Sequence, residues 1–195
     1  MSGSHAELPV ASRVRVLEER LIAAGLITGD ELDEILTQVF ETASPANGAR
    51  MVARAWTDQG YRERLLADGN AAAAELGFTG MNYLLRAVQN TDDVHNVIVC
   101  TLCSCYPTSL LGPSPGWYRS FAYRSRVVRE PRAVLAEFGL ELPEQTEIRV
   151  WDANSETRYL VLPRPPQPAE PTAGLDEDAL AATVSRNGLI GTALR

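Results

Sequence analysis

Cys100, Cys103 and Cys105 are the only cysteines in a chain of 195 residues, and they fall in one short run, Cys100-Thr101-Leu102-Cys103-Ser104-Cys105. Thiolates are soft, strongly donating ligands for transition metals. A loop with this spacing can bring three sulfurs onto one ion. Its backbone can also fold back, so that the amide nitrogens of Ser104 and Cys105, once deprotonated, could join them. No further cysteine completes a four-thiolate zinc site or an iron–sulfur cluster. His5 and His95 are the only histidines, and neither sits at a zinc-finger spacing from the cysteines. His95 precedes Cys100 on what reads as a strand, cannot easily turn back to the same ion, and is expected to be structural.

The bland alternative is a disulfide with one thiol left over. A Cys103–Cys105 bridge would close a very small ring at strained geometry. Residues 1–12 lack the basic start and continuous apolar stretch of an export signal, so a cytoplasmic, reducing setting is expected and stable disulfides are not. A net charge of −7 argues against a nucleic-acid surface, which needs a basic stripe. No run approaches the roughly 18 apolar residues of a membrane span. The basic stretch from Arg124 to Arg132 reads as a solvated or interface face.

The elements that must position the loop follow from periodicity. Residues 1–77 read as a helical arm and partner-contact region. Val14, Leu17 and Leu21 share a helix face before a break at Gly25. Thr28 with Glu31 forms a capping box, and Leu32, Ile35, Leu36, Val39 and Phe40 mark the face of the helix that follows. Asn47 is expected to cap a helix that turns Met51, Val52, Ala55 and Trp56 inward, and a last helix near 70–76 closes at Gly77. The first helices are thin for a core of their own and look like an arm around another subunit. Residues 78–195 form the metal-binding α+β domain. Strands are expected at 82–89 and 94–99, the second delivering Cys100 from a rigid element. A short helix runs from Glu130-Pro131 to Gly139. Strands at about 146–152 and 157–162 flank Asp152-Ala153-Asn154-Ser155 and read as a hairpin. A stiff Pro-rich linker at 163–174 leads to a C-terminal helix at about 175–184.

The run from Val94 through the three cysteines to Tyr106-Pro107 closely resembles the metal-binding core of nitrile hydratase α subunits. The resemblance continues through Gly116-Trp117-Tyr118-Arg119-Ser120, the segment from Tyr123 to Arg132, Glu147-Ile148-Arg149-Val150-Trp151-Asp152 and Thr157 to Pro163. Upstream it includes Asn47-Gly48-Ala49-Arg50 and Arg64-Leu65-Leu66-Ala67-Asp68. The mixed strands and helices fit an α+β domain with helices covering antiparallel sheets, and the resemblance implies a layered α-β-β-α arrangement of them. It further implies a low-spin trivalent metal held by Cys100, Cys103, Ser104 and Cys105, with Cys103 as a sulfinic and Cys105 as a sulfenic group. In that reading Cys103, Ser104 and Cys105 are also the catalytic positions, and the product is an amide made from a nitrile. Family members with threonine after the first cysteine are cobalt enzymes as a rule, so Thr101 favours Co(III) over Fe(III). The expected partners are a β-type subunit, as one chain or as two separate chains, and an activator or metallochaperone during maturation. Asp152 and Glu156 match acidic positions just outside the ligands, and Arg158 follows on the same strand.

Substrate choice is read from departures. A Pro-Trp-Pro segment usual in the family is Pro107-Thr108-Ser109 here, and a glutamine that can reach the active site aligns with Met81. A small hydroxylated side chain replaces an indole wall, and Met adapts to irregular ligands. Thr108 and Met81 therefore point to a bulky or heteroaromatic nitrile, of which the nucleoside antibiotic toyocamycin is an example. Two alternatives stand beside this reading. A thiocyanate hydrolase-like γ subunit shares the cysteine core but typically places arginine where Thr108 stands. A non-catalytic cobalt-binding subunit would use the same loop.

Overall fold

A computed structural model describes residues 9–167 and 174–195, and of residues 38–41 it describes the backbone only. His5, Val39, Phe40, Pro168 and Pro171 therefore lie outside the described positions or side chains. Two compact units are present, one ending at Thr42 and one running from Ala43 to Arg195.

The first unit contains α1 (Val10–Ala23) and α2 (Gly29–Thr42). Gly25, in the left-handed region at φ +66°, ends the first turnout. The capping box is formed. The Thr28 backbone and hydroxyl both donate to Glu31 Oε2 at 2.8 Å, and the Glu31 backbone donates back to Thr28 Oγ1 at 3.2 Å. No residue of α1 is buried, and Val10, Val14 and Leu17 are all exposed.

In the second unit α3 (Pro45–Thr57) is capped by Ser44, whose Oγ accepts from Ala46 N, with Pro45 at the first helical position. The expectation that Asn47 caps this helix is corrected. Asn47 lies inside the first turn, and its Nδ2 donates to Ser109 O at 2.9 Å, tying α3 to the segment after the cysteines. Ser44-Pro45 is the stronger start signal because the serine hydroxyl satisfies a free amide and proline costs nothing at that position. Asp58 and Asp68 cap α4 (Gln59–Ala67) and α5 (Gly69–Glu75) in the same way. Asn70 then acts as a surrogate strand: its Oδ1 accepts from Leu85 N and its Nδ2 donates to Tyr83 O.

Among the described residues four strands form two sheets, and both are parallel. β1 (Leu84–Gln89) pairs with β4 (Thr157–Leu162), Leu84 opposite Thr157. β2 (Val94–Val99) pairs with β3 (Glu147–Asp152), Val94 opposite Glu147. This overturns the expected hairpin and the expected antiparallel sheets. β3 and β4 do not pair with each other. Asn154 turns the chain between them through a side chain that accepts from Glu156 N and Thr157 N, an Asx turn that sends β4 into the other sheet. A second corner, Asn90 to Asp93, does the same between β1 and β2, so each ribbon starts in one sheet and finishes in the other. With α4 and α5 against β1 and α9 (Pro131–Glu137) against β3, the order is helix, sheet, sheet, helix. The α+β class and its layering hold.

A polar network pins the first corner. Asn90 Oδ1 accepts from Asn96 N and Asn96 Nδ2, so Asn90 Nδ2 faces His95 Nδ1 at 3.3 Å. His95 Nδ1 is thus the acceptor, and Nε2–H donates to Gly191 O at 2.8 Å. Burial pushes the His95 pKa below its ordinary value. The histidine is structural, as expected. Gly191 sits at φ +91°, and a Cβ there would come within 2.0 Å of Asn96 O.

The C-terminal end differs from the single helix expected. α10 (Glu177–Ala181), capped by Asp176, is followed by a separate α11 (Arg186–Ile190), capped by Ser185, which buries Leu189 and Ile190. Among the described residues no helix is long and apolar enough to cross a membrane.

Candidate metal centre

Cys100 leaves the end of β2 fully buried, Cys105 is half-buried, and Cys103 is exposed at the turn between them. The three sulfurs lie within 4.8 Å of one another and none is bonded to another. Cys100 Sγ and Cys103 Sγ are 3.4 Å apart, as are Cys103 Sγ and Cys105 Sγ. Two thiolates at adjacent positions of an ion with metal–sulfur bonds of about 2.3 Å stand roughly 3.3 Å apart. The donor set and its spacing therefore fit one thiophilic ion.

Electrostatics at the loop are uneven. The pKa of Cys103 is pushed down to about 7, chiefly by hydrogen bonds from Cys105 and Cys100 and then from the Ser104 N–H. Cys105 is pushed up to about 12 by burial and by the neighbouring sulfurs, Cys103 first. Three thiols this close cannot all ionise cheaply without a cation among them.

The walls of the loop come from three other elements. Asp152, the last residue of β3, accepts from Thr101 N at 2.9 Å and from Thr101 Oγ1 at 2.5 Å. Arg158 on β4 donates to Tyr106 O at 2.5 Å and lies over the Tyr83 ring, 4.6 Å from its centroid. Glu156 enters only through its backbone, which bonds to Asn154 Oδ1 and accepts from Leu84 N; its exposed carboxylate makes no hydrogen bond to the cysteine loop. Thr108 begins the short α6 (Thr108–Leu111) and is half-buried, its hydroxyl 3.5 Å from Tyr106 O. Met81 is half-buried against the core ahead of β1. Tyr83 reaches the exit of the loop, its hydroxyl 2.9 Å from Ser109 Oγ.

Several residues that hold the loop escaped the sequence reading. Tyr118 donates to Cys105 O at 3.0 Å, and Tyr123 donates to Ile98 O at 2.7 Å from α8 (Phe121–Arg126). Arg124 Nη1 donates to Thr101 O at 3.3 Å. The basic stretch from Arg124 to Arg132, read as a solvated or interface face, also makes specific bonds within the chain. Arg124 bonds to the loop, Arg126 pairs with Glu130 and Glu137, and Arg132 gathers the carbonyls of Leu142, Pro143 and Thr146. Arginine's planar fork makes such carbonyl staples easy, and charge patterning alone does not reveal them.

Residues 8–193 match the family described as nitrile hydratase, alpha chain. The chain is 46% identical to the cobalt-containing nitrile hydratase subunit alpha of Pseudonocardia thermophila, covering 93% of this chain and 89% of that one. It is 42% identical to the thiocyanate hydrolase subunit gamma of Thiobacillus thioparus, covering 91% and 76%. A solved structure of a double mutant of the Fe-type nitrile hydratase from Comamonas testosteroni Ni1 superposes with a TM-score of 0.86 at 38% identity, covering 98% of this chain and 91% of that one. With its three free sulfurs held at ligand spacing and nearly its full length matched, the chain belongs to the nitrile hydratase α-chain family.

Proposed function

We propose that the chain is the metal-holding catalytic subunit of a nitrile hydratase that converts a nitrile to the amide at a low-spin Co(III) centre. The observation that carries this is the loop itself: three free sulfurs at the separation of adjacent ligands on one ion, in a chain of this family. Cys100, Cys103 and Cys105 would supply the sulfurs, and the amides of Ser104 and Cys105 the nitrogens. Bound there, a trivalent ion supplies the Lewis acidity that polarises a C≡N bond. The resemblance puts a sulfinic group at Cys103 and a sulfenic group at Cys105, both rungs of the ladder that thiolates climb on oxidation. Thr101 and the cobalt-containing relatives favour cobalt over iron.

A β-type partner, as one chain or two, is part of this reading. Leu102, inside the loop, is 87% exposed, and Phe121, at the start of α8, is 79% exposed; apolar surface around a reacting centre is what a covering subunit would bury to exclude water. The exposed apolar residues of α1 and α2 offer it a second surface. An activator or metallochaperone would deliver the metal. Thr108 and Met81 favour a bulky or heteroaromatic nitrile. A thiocyanate-hydrolysing subunit is the second reading, favoured by the similarity to the Thiobacillus thioparus chain and disfavoured by Thr108.

Co-expression with a β-type partner and cobalt, followed by assays on acetonitrile, a heteroaromatic nitrile and thiocyanate, tests this. Amide formation is expected. Thiocyanate turnover without amide selects the second reading, and a cobalt-loaded complex that turns over none of them selects a non-catalytic binder.

A further inference from the structure

The segment carrying Cys100 is gripped from one side by two consecutive residues of α8. Tyr123 takes Ile98 O, two residues before Cys100, and Arg124 takes Thr101 O, one residue after it. Ser120 fixes the start of that helix by accepting from Tyr123 N, so both grips come from one capped turn. The Arg124 Nε is buried and, among the described residues, has no hydrogen-bond partner. A buried donor without an acceptor is costly, about 1–3 kcal/mol.

We propose that Arg124 is a positioning residue for the metal loop. Through the Thr101 carbonyl it fixes the turn that keeps Cys103 Sγ within 3.4 Å of Cys100 Sγ. The inference deepens the cobalt reading and rests on it for the metal, but the grip on the loop stands in the chain alone. Arg126, two residues on, is committed to Glu130 and Glu137 and cannot substitute.

The test uses the full chain with Arg124→Gln and Arg124→Lys. Hydrogen exchange of the amides at 101–105 in the metal-free chain should be about tenfold faster in Arg124→Gln, with the melting temperature little changed. In the cobalt-loaded chain with its partner, loss of cobalt to a chelator should also quicken about tenfold or more, and the sulfur-to-cobalt absorption band should shift. Arg124→Lys, which keeps the charge but not the fork, should fall between. Exchange at 101–105 and cobalt retention both equal to wild type in Arg124→Gln would overturn the proposal. The exchange measurement needs no metal, so it judges Arg124 separately from the cobalt reading.

Discussion

Asp152 takes both donors of Thr101, the backbone N–H at 2.9 Å and the hydroxyl at 2.5 Å, and so ties the end of β3 to the residue that follows Cys100. Bonds to a charged acceptor contribute about 1.5–3 kcal/mol each when well formed, although solvent at this exposed site reduces that. Asp152→Asn keeps an acceptor but loses the charge. It is expected to lower cobalt affinity by about tenfold while leaving the fold intact, as read by metal titration and circular dichroism. Thr101→Ser keeps both donors and should match wild type, whereas Thr101→Val should resemble Asp152→Asn.

His95 makes stability depend on pH. Its native pKa lies below the ordinary 6.5 because burial disfavours the charged ring, and its Nδ1 must stay unprotonated to accept from Asn90. The unfolded chain therefore takes up a proton first as pH falls. The contribution of His95 is full above about pH 6.5 and is lost as pH drops from there through the native value. Urea midpoints should fall between pH 7.5 and 5.5 in wild type, and that fall should shrink in His95→Gln.

Legibility was uneven for physical reasons. The cysteine loop, the bounds of β2 and the Thr28–Glu31 box are local patterns, and a local pattern is carried by adjacent residues. The pairing of β1 with β4 is not. Strands separated by so much chain show the same apolar runs whether they pair with a neighbour or cross over, and the Asn154 corner has the composition of a hairpin turn while acting as an Asx turn between two sheets. The same holds at the site. Asp152 and Arg158 were picked out through the family resemblance and do touch the loop segment, whereas Arg124 and Tyr83 reach it only through tertiary packing that no spacing rule exposes.

Substrate size should respond to Thr108. If a small side chain there leaves room for a ring-bearing nitrile, Thr108→Trp should depress kcat/KM for large nitriles at least about tenfold more than for acetonitrile, the effect of a clash of roughly 1.4 kcal/mol. Equal losses for both would show that Thr108 does not set substrate size.

Deleting residues 13–41 removes most of α1 and α2. The second unit contains every strand among the described residues and the cysteine loop, so it should stay folded and keep its metal while binding the partner more weakly. Size-exclusion chromatography of the truncated chain mixed with its partner reads the outcome, and an undiminished complex would rule out α1 and α2 as a partner surface.

Everything proposed for the site depends on one ion held by the three sulfurs of Cys100, Cys103 and Cys105. Cobalt-edge X-ray absorption on the chain purified with its partner measures this directly. One cobalt per chain with three sulfur neighbours at roughly 2.3 Å is expected, reduced to two in Cys103→Ser if that variant retains metal at all. A shell of oxygen and nitrogen neighbours only, or a sulfur count unchanged in Cys103→Ser, would contradict it.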